Sequence, residues 1–219
     1  MSTLALNIQG LSQDVMWTMS LWYQYWDATL PRILPRSRIL DVAMGYGKYG
    51  LMMRYERNPA LLIGLDLNRK LVRDVHRMGF YDGLILADAA FLPFRREVFD
   101  TVVCIHAIEH MTKDRGMKLL RDLDRMNAKK TIVITPNGFR RWETHPVIPA
   151  QPYDPHLSGW VPDEFIRFDY KVHGIGADDR FIPQIPKLYV LLRWFFSAIS
   201  WFIPSVAHEL FCEKEGHHL

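Results

Sequence analysis

Apolar positions along the chain form short continuous runs separated by helical stripes. The runs occupy residues 38–42, 61–66, 84–87, 101–104 and 131–135, and the helical stripes occupy residues 48–57, 68–78 and 113–126. Runs that are apolar throughout and that alternate with helices are typical of a parallel sheet covered on both faces. The pattern therefore predicts a doubly wound α/β fold, with ligands at the carboxyl ends of the strands.

Flanking segments complete this prediction of one domain over residues 1–219. Residues 11–30 carry a helical stripe rich in aromatic side chains, predicted to form an N-terminal cap that ends at Pro31. Residues 140–160 are rich in proline and histidine and are long enough to be a functional substrate loop. A short helix at 162–168 and strands at 170–174 and 207–212 follow.

Residues 188–203, inside an insertion spanning 186–204, are almost wholly apolar but contain Arg193. The stretch is shorter than the roughly 20 residues needed to cross a bilayer, where a central arginine is costly. It favours a buried helix, a lid or an interfacial helix. Its exposed apolar side chains would be covered by a dimer partner, a lipid or a membrane surface, and burial against the sheet of the same chain is the alternative.

Composition narrows the class of protein. Hydrophobic residues make up 49% of the 219 residues and charged residues 23%, which predicts a proper core rather than disorder. A net charge of +3, with basic residues scattered in small groups, does not indicate a nucleic-acid-binding protein. Cys104 and Cys212 lie in apolar runs and are expected to be buried thiols. Without the signature of a signal peptide, a cytoplasmic location is expected, with peripheral contact to a membrane through 188–203.

A glycine-containing turn follows the first predicted strand. In the sequence DVAMGYGKYG, Gly45 and Gly47 allow a tight turn and a close approach of a ligand to the backbone. Asp66 ends the second strand, where a carboxylate can accept both hydroxyls of a ribose. Asp88 follows the third strand, where it could hold an exocyclic amine. Three ordinary strand-end turns are the alternative interpretation.

These pieces resemble the class I S-adenosylmethionine-dependent methyltransferases, in particular the type 11-like group. ILDVAMGYGKYG, LLIGLD, ADAAFLPF, FDTVVCIHAIEHM and TIVITPNG occur in the family's order. The resemblance implies a seven-stranded sheet whose last strand is antiparallel. It implies that the cofactor is bound by Asp41, Ala43, Gly45, Gly47, Asp66, Leu67, Asp88, Ala89 and Ile105. Of these, Asp66 would bind the ribose, Asp88 and Ala89 the adenine, and Ile105 would lie beside the methyl sulfonium.

One departure from the family pattern concerns the turn itself. Ala43 stands where the first glycine is usual, and Met44 where a small residue is usual. An alanine keeps the turn if its φ stays negative, so cofactor binding is expected to survive. The spacing D-x-A-x-G-x-G, in place of G-x-G-x-x-G, disfavours a dinucleotide oxidoreductase.

The segment CIHAIEHM places His106, Glu109 and His110 at i, i+3 and i+4, on one face of a helix. The cluster could be catalytic, metal-binding or a polar patch beside the core. It is similar to the E-x-x-E-H segment of two metal-binding branches of the family, the small-RNA 2′-O-methyltransferases and the ubiquinone-pathway O-methyltransferases. That similarity implies a divalent metal held by His106, Glu109, His110 and His156. Zinc, iron or manganese suits these donors better than magnesium. The alternative is that Glu109 and His110 only cap and brace the start of the helix while His106 faces the substrate as a base. The candidate catalytic residues are His106, His110 and His156.

The acceptor is expected near the aromatic cap and the substrate loop. Candidate cap residues are Trp17, Trp22, Tyr23 and Trp26, and candidate loop acids or bases are His145, Tyr153 and His156. The resulting hypothesis is a methyltransferase acting on a small or lipid-like acceptor, at oxygen. An RNA methyltransferase and a non-catalytic binding protein of the same fold are the alternatives, and nucleic acid ranks below the small acceptor because no coherent basic stripe is visible.

Overall fold

A computed structural model describes residues 26–141, 155–182 and 189–216. Its sheet contains β1 (Arg38–Val42), β2 (Leu61–Asp66), β3 (Gly83–Leu86), β4 (Thr101–Ile105), β5 (Lys130–Pro136), β6 (Lys171–Ala177) and β7 (Ala207–Glu215). The helices are α1 (Lys48–Arg57), α2 (Arg69–Met78), α3 (Lys113–Met126), α4 (Pro162–Ile166) and α5 (Tyr189–Ser200). Each predicted strand is present, and the predicted helices between them are confirmed with shifts of a few residues at their ends.

The seven strands form one sheet in the order β3-β2-β1-β4-β5-β7-β6. The pairs β1–β2, β1–β4, β2–β3 and β4–β5 are parallel, whereas β7 is antiparallel to both β5 and β6. The prediction of a mostly parallel, doubly wound sheet with an antiparallel last strand is therefore confirmed. Because β1 and β4 are neighbours whose connections leave in opposite directions, a crevice forms at their carboxyl ends, where such sheets bind ligands.

Both faces of the sheet are covered, because successive side chains of a strand point to opposite sides. In β4, Val102 and Cys104 pack with Leu119 and Leu123 of α3. The alternate residues Val103 and Ile105 belong to the other core layer, together with Met53 of α1. Both cysteines are buried free thiols, as the sequence predicts.

Helix α2 shows why the sequence begins and ends a helix where it does. The side chain of Asn68 accepts hydrogen bonds from the backbone N–H groups of Lys70 and Leu71, two donors that the first turn leaves without helical partners. Gly79 ends the helix with φ +72°, a conformation that costs glycine nothing. The helix then leads directly into β3 at the edge of the sheet.

Parts of the sequence prediction fall outside the described residues. The N-terminal cap at 11–30 is described only from Trp26, where residues 26–29 are helical and a 3₁₀ turn, Leu30–Arg32, contains Pro31. Trp26 is buried in the core layer of α1. Trp17, Trp22, Tyr23, His145 and Tyr153 lie outside the described residues, as does most of the loop at 140–160. The cap, the loop and the single domain stay predictions.

Candidate active site

A cavity of about 400 Å³ lies at the carboxyl ends of the central strands. Its volume is within the usual range for small-ligand and cofactor sites. Its walls come from the segments that follow β1, β2, β3 and β4, and from the start of α3. The lining residues are Ala43, Gly45, Tyr46, Leu65, Asp66, Leu67, Asn68, Leu71, Asp88, Ala89, His106, Ala107, His110, Met111, Thr112, Arg115 and Leu157.

The turn after β1 is held in a left-handed conformation at three positions. Ala43 has φ +55°, Gly45 φ +55° and Gly47 φ +72°. The expectation of a negative φ at Ala43 is therefore wrong. The turn survives because backbone hydrogen bonds fix it: Met44 N donates to Leu65 O over 3.0 Å, and Gly47 N donates to Met44 O over 2.9 Å. For an L-residue this conformation costs roughly 1–2 kcal/mol, so strain is stored at the edge of the cavity.

The side chain of Met44 points away from the cavity into the core and is almost completely buried. It fills the space above Gly64 of β2, where an added Cβ would lie 2.4 Å from the Met44 sulfur. Glycine at position 64 therefore makes room for the larger residue at position 44. A bulky residue in this turn thus leaves the cavity open.

Asp66 connects the glycine turn to the start of α2. One carboxylate oxygen accepts the backbone N–H of Gly45 at 2.9 Å, and the other accepts that of Asn68 at 2.7 Å. Burial raises the pKa of Asp66, while the backbone N–H groups of Asn68, Gly45 and Leu67 oppose that rise. Each oxygen keeps a lone pair for a further donor, so the carboxylate can accept two hydroxyls of a ligand in the cavity.

Asp88, two residues after β3, also lines the cavity. It caps a 3₁₀ turn, Ala89–Phe91, by accepting the backbone N–H of Ala90 at 2.9 Å. Its other oxygen pairs with the guanidinium of Arg115 from α3. Arg115 also lines the cavity, so this ion pair joins β3 to α3 at the rim. The sequence prediction missed Arg115, because nothing in the helical stripe of α3 indicates a partner 27 residues away.

Three predicted cofactor residues do not line the cavity. Asp41 is fully buried on the α1 side of β1, where it accepts the hydroxyl of Tyr81 at 2.5 Å. Burial raises the pKa of Asp41 to about 7, against the opposing effect of the Tyr81 hydrogen bond. Ile105 packs into the α1 core layer, and Gly47 precedes α1 as its N-cap. These three residues therefore lie behind the walls of the cavity. The other predicted cofactor residues line it: Ala43, Gly45, Asp66, Leu67, Asp88 and Ala89.

The polar cluster after β4 lies next to the cavity but not on a regular helix. His106 has φ +51° and precedes a 3₁₀ turn, Ile108–His110. Its Nδ1 lies 3.2 Å from Oε1 of Glu109, and the hydroxyl of Thr135 in β5 donates to Oε2 of Glu109 at 3.0 Å. Glu109 itself is 1% exposed. The prediction of a helical face is wrong, but the tight turn brings His106 and Glu109 together.

Electrostatics within the cluster favour an ionised Glu109. Burial alone would raise the pKa of Glu109, but the hydrogen bond and the charge of His106, with that of His110, lower it below its ordinary value. Burial alone would lower the pKa of His106, but the carboxylates of Glu209 and Glu109 outweigh it and raise that pKa. His106 is therefore a stronger base than an ordinary histidine.

The segment after residue 155 brings His156 to this cluster. The backbone N–H groups of Leu157 and Ser158 donate to the carbonyl oxygen of Glu109 at 2.8 and 3.1 Å. Trp160, fully buried, donates its indole N–H to the hydroxyl of Ser158 at 2.9 Å. These contacts hold the segment, and His156 with it, against the turn after β4.

Three of the four predicted metal ligands are brought together. Side-chain donor atoms of Glu109, His110 and His156 lie within 4.8 Å of one another. The rings of His110 and His156 meet edge to face, with centroids 4.8 Å apart. Two imidazoles and one carboxylate fit a divalent transition metal, and carboxylate ligands are typically held by further hydrogen bonds such as those of His106 and Thr135. His106 is thus a partner of Glu109 rather than a member of the three-residue set.

The fold and cavity agree with comparisons to known proteins. A family model described as "Methyltransferase domain" matches residues 40–135. Those residues include the glycine turn, Asp66, Asp88 and the cluster after β4. These residues therefore resemble the methyltransferase-domain family, in agreement with the resemblance found in the sequence.

Two curated relatives match about half of the chain. The tRNA (carboxymethyluridine(34)-5-O)-methyltransferase of Arabidopsis thaliana is 34% identical over 106 residues, 47% of this chain and 22% of the relative. The tRNA U34 carboxymethyltransferase of Desulforapulum autotrophicum is 30% identical over 115 residues, 49% of this chain and 34% of the relative. The matches thus span a minor part of each relative's own length.

Most of the chain also superposes on solved structures. A chain of the complex between the Haloferax volcanii Trm112 methyltransferase activator and a methyltransferase aligns with a TM-score of 0.61 at 15% identity. The alignment covers 92% of this chain and 93% of that one. At this level of identity the likeness is one of fold.

Proposed function

We propose that the chain is an S-adenosylmethionine-dependent methyltransferase that methylates an oxygen atom of RNA. The observation that carries the proposal is the position of the cavity. Asp66 and Asp88 line it, and so do His106 and His110, which are near the buried Glu109. A cofactor site and a set of acid–base groups are thereby contiguous.

The residues around the cavity fit the cofactor of this family. Asp66 would accept the ribose hydroxyls, while the left-handed turn at Ala43 and Gly45 allows close approach to the backbone. Ala89 leaves space beside Asp88 for the adenine. When bound, S-adenosylmethionine supplies a methyl group already activated by a sulfonium, so the protein's main contribution is to position the acceptor in line with it.

A general base at His106 would complete the transfer. The acceptor oxygen gains a methyl group and loses one proton, and the sulfonium becomes a neutral thioether. His106 lines the cavity and has a raised pKa, so its neutral form is a competent acceptor for that proton. The carboxylate of Glu109, hydrogen-bonded to the other side of the same ring, would stabilise the imidazolium that forms.

A more specific version of this proposal includes a divalent metal at the site. Glu109, His110 and His156 would hold it, and bound there it would lower the pKa of the acceptor hydroxyl. The alternative is that the same residues only brace the turn and orient His106. In both forms of the proposal the acceptor lies beside His106 and His110.

RNA is favoured as the acceptor class, in contrast to the ranking from sequence. Both curated relatives are named as tRNA-modifying transferases. A second cavity of about 400 Å³ against α2 and β3 adds a physical argument, because Arg69, Arg73 and His76 line it at i, i+4 and i+7. Its one carboxylate, Asp82, is already paired with Arg54. Two arginines one helical turn apart on α2, the helix that also borders the cofactor cavity, suit phosphate groups of a nucleic-acid backbone.

A lipid-like acceptor is the second candidate. It is favoured by the exposed apolar side chains of α5, with Trp194 71% exposed. A site that handles a lipid needs such a surface nearby.

The test is methyl transfer from labelled S-adenosylmethionine to total RNA and to a lipid extract, assayed in parallel. Label in RNA that is lost in His106→Ala and reduced in Arg73→Glu supports the proposal. Arg125→Glu, an exposed arginine of α3 outside both cavities, is the matched control. Cofactor binding without transfer to either extract would instead indicate a non-catalytic binding protein.

A further inference from the structure

Four neighbouring strands contribute to the cavity in a fixed order. The strand order is β3-β2-β1-β4, and the residues at or after their ends are, in that order, Asp88, Asp66, Tyr46 and His106. All four residues line the cavity. Because these strands are parallel and end at the same edge of the sheet, the turn that carries Tyr46 lies between Asp66 and His106.

The sulfur of S-adenosylmethionine belongs between the same two residues. It is bonded to the ribose, which Asp66 would hold, and it carries the methyl group that goes to the acceptor beside His106. The inference rests on the proposed function at this point, because it takes that cofactor as the ligand. The sulfonium would therefore lie next to the turn of Tyr46.

Tyr46 supplies the one phenyl or indole ring among the described residues that line the cavity. It is 54% exposed, so a ligand in the cavity can contact its side chain. The backbone on both sides of it is held in place, because Gly45 N donates to Oδ2 of Asp66 at 2.9 Å and Gly47 N donates to Met44 O at 2.9 Å. The ring is thus carried by a fixed part of the cavity wall.

A cation that enters this cavity loses water and needs a new partner. The carboxylates nearby have partners of their own. Asp88 pairs with Arg115, and the buried Glu109 is hydrogen-bonded to His106 and Thr135. The face of an aromatic ring is the alternative partner, since its quadrupole attracts cations, most strongly those that have lost water.

We propose that Tyr46 binds the sulfonium of S-adenosylmethionine through the face of its ring. The attraction is to the charge, so it acts on the cofactor and not on the product, whose sulfur is a neutral thioether once the methyl group has left. Tyr46 is therefore a specificity-determining residue that favours replacement of the product by a new cofactor molecule.

The test is calorimetric titration with S-adenosylmethionine and with its neutral product, S-adenosylhomocysteine, in the absence of an acceptor. Tyr46→Leu, which keeps an apolar side chain but has no ring, should weaken cofactor binding roughly 3- to 30-fold, which corresponds to about 0.7–2 kcal/mol. Its affinity for the product should equal that of the wild-type chain. Tyr46→Phe, which keeps the ring without the hydroxyl, should bind both ligands as the wild type does. Tyr55→Leu is the matched control, since Tyr55 of α1 is 79% exposed and does not line the cavity.

Three results would overturn the inference. The first is a Tyr46→Leu chain that keeps the wild-type affinity for the cofactor. The second is an equal loss of affinity for cofactor and product, which would show that the ring packs on the ligand without responding to its charge. The third is a Tyr46→Phe chain that loses as much cofactor affinity as Tyr46→Leu, which would assign the contact to the hydroxyl. A wild-type chain that binds neither ligand would refute the proposed function itself, and this inference with it. Thermal unfolding checks that each variant is folded.

Discussion

Replacing Ala43 with glycine should stabilise the folded chain. Ala43 has φ +55° in a turn whose other left-handed positions, Gly45 and Gly47, are glycines. An L-residue pays about 1–2 kcal/mol for this conformation. Glycine removes that cost but increases the entropy of the unfolded chain by about 0.4–1 kcal/mol. The net gain in the free energy of unfolding is therefore about 0.8 kcal/mol, within a range of about 0–1.6 kcal/mol.

Urea unfolding of Ala43→Gly measures this gain, with Ala60→Gly as the control. Ala60 is exposed in a loop and does not have a positive φ, so its replacement brings only the entropic cost. The expected pattern is a higher midpoint for Ala43→Gly and a lower one for Ala60→Gly, at unchanged slope. If both variants lose stability by the same amount, Ala43 is not strained and the description of the turn is wrong.

Three further predictions concern the support of the site. Asp41→Asn should gain stability over the wild type as pH rises from about 4 to 7, by up to about 4 kcal/mol, because a pKa of about 7 in the folded chain disfavours the charge that the unfolded chain carries. A pH-independent difference in urea unfolding would contradict this prediction. Gly174→Ala should lower the free energy of unfolding by roughly 1–3 kcal/mol, because its Cβ would collide with the backbone of Ser200; unchanged stability would show that α5 can move. If Glu109, His110 and His156 hold a metal, elemental analysis should find that metal in wild-type protein purified without chelators. The variants His110→Ala and His156→Ala should lack it. Wild-type protein that contains no metal, and whose activity survives chelators, would show that the cluster acts only as acid–base and structural groups.

The sheet could be predicted from sequence because its signal is local. Strands buried on both faces must be apolar throughout, and the runs at β1, β2, β4 and β5 have no other explanation at that length. The cavity residues Gly45, Asp66 and Asp88 follow from the same argument, since each lies at the end of a strand or within three residues of it. The order of strands and helices along the chain therefore predicts both the sheet and the edge of it at which these cavity residues meet.

What could not be predicted depends on orientation and on long-range pairing. Asp41 follows the family pattern, but its side chain turns to Tyr81, 40 residues later. The periodicity of α5 identifies an apolar side without saying which side packs, and Ser200 shows that the polar side does. His106 and Glu109 meet through a left-handed residue and a 3₁₀ turn, a geometry that their spacing alone does not specify.

Isothermal titration calorimetry with S-adenosylmethionine tests the cofactor site most directly. The wild-type chain should bind one molecule, and Asp66→Ala should bind about 2–4 kcal/mol more weakly, roughly 30- to 1000-fold, because two hydrogen bonds to a carboxylate are lost. Asp74→Ala, which removes a carboxylate of α2 outside the cavity, should bind as the wild type does. Equal affinity of Asp66→Ala and the wild type, with both folded, would contradict the assignment of this cavity to the cofactor.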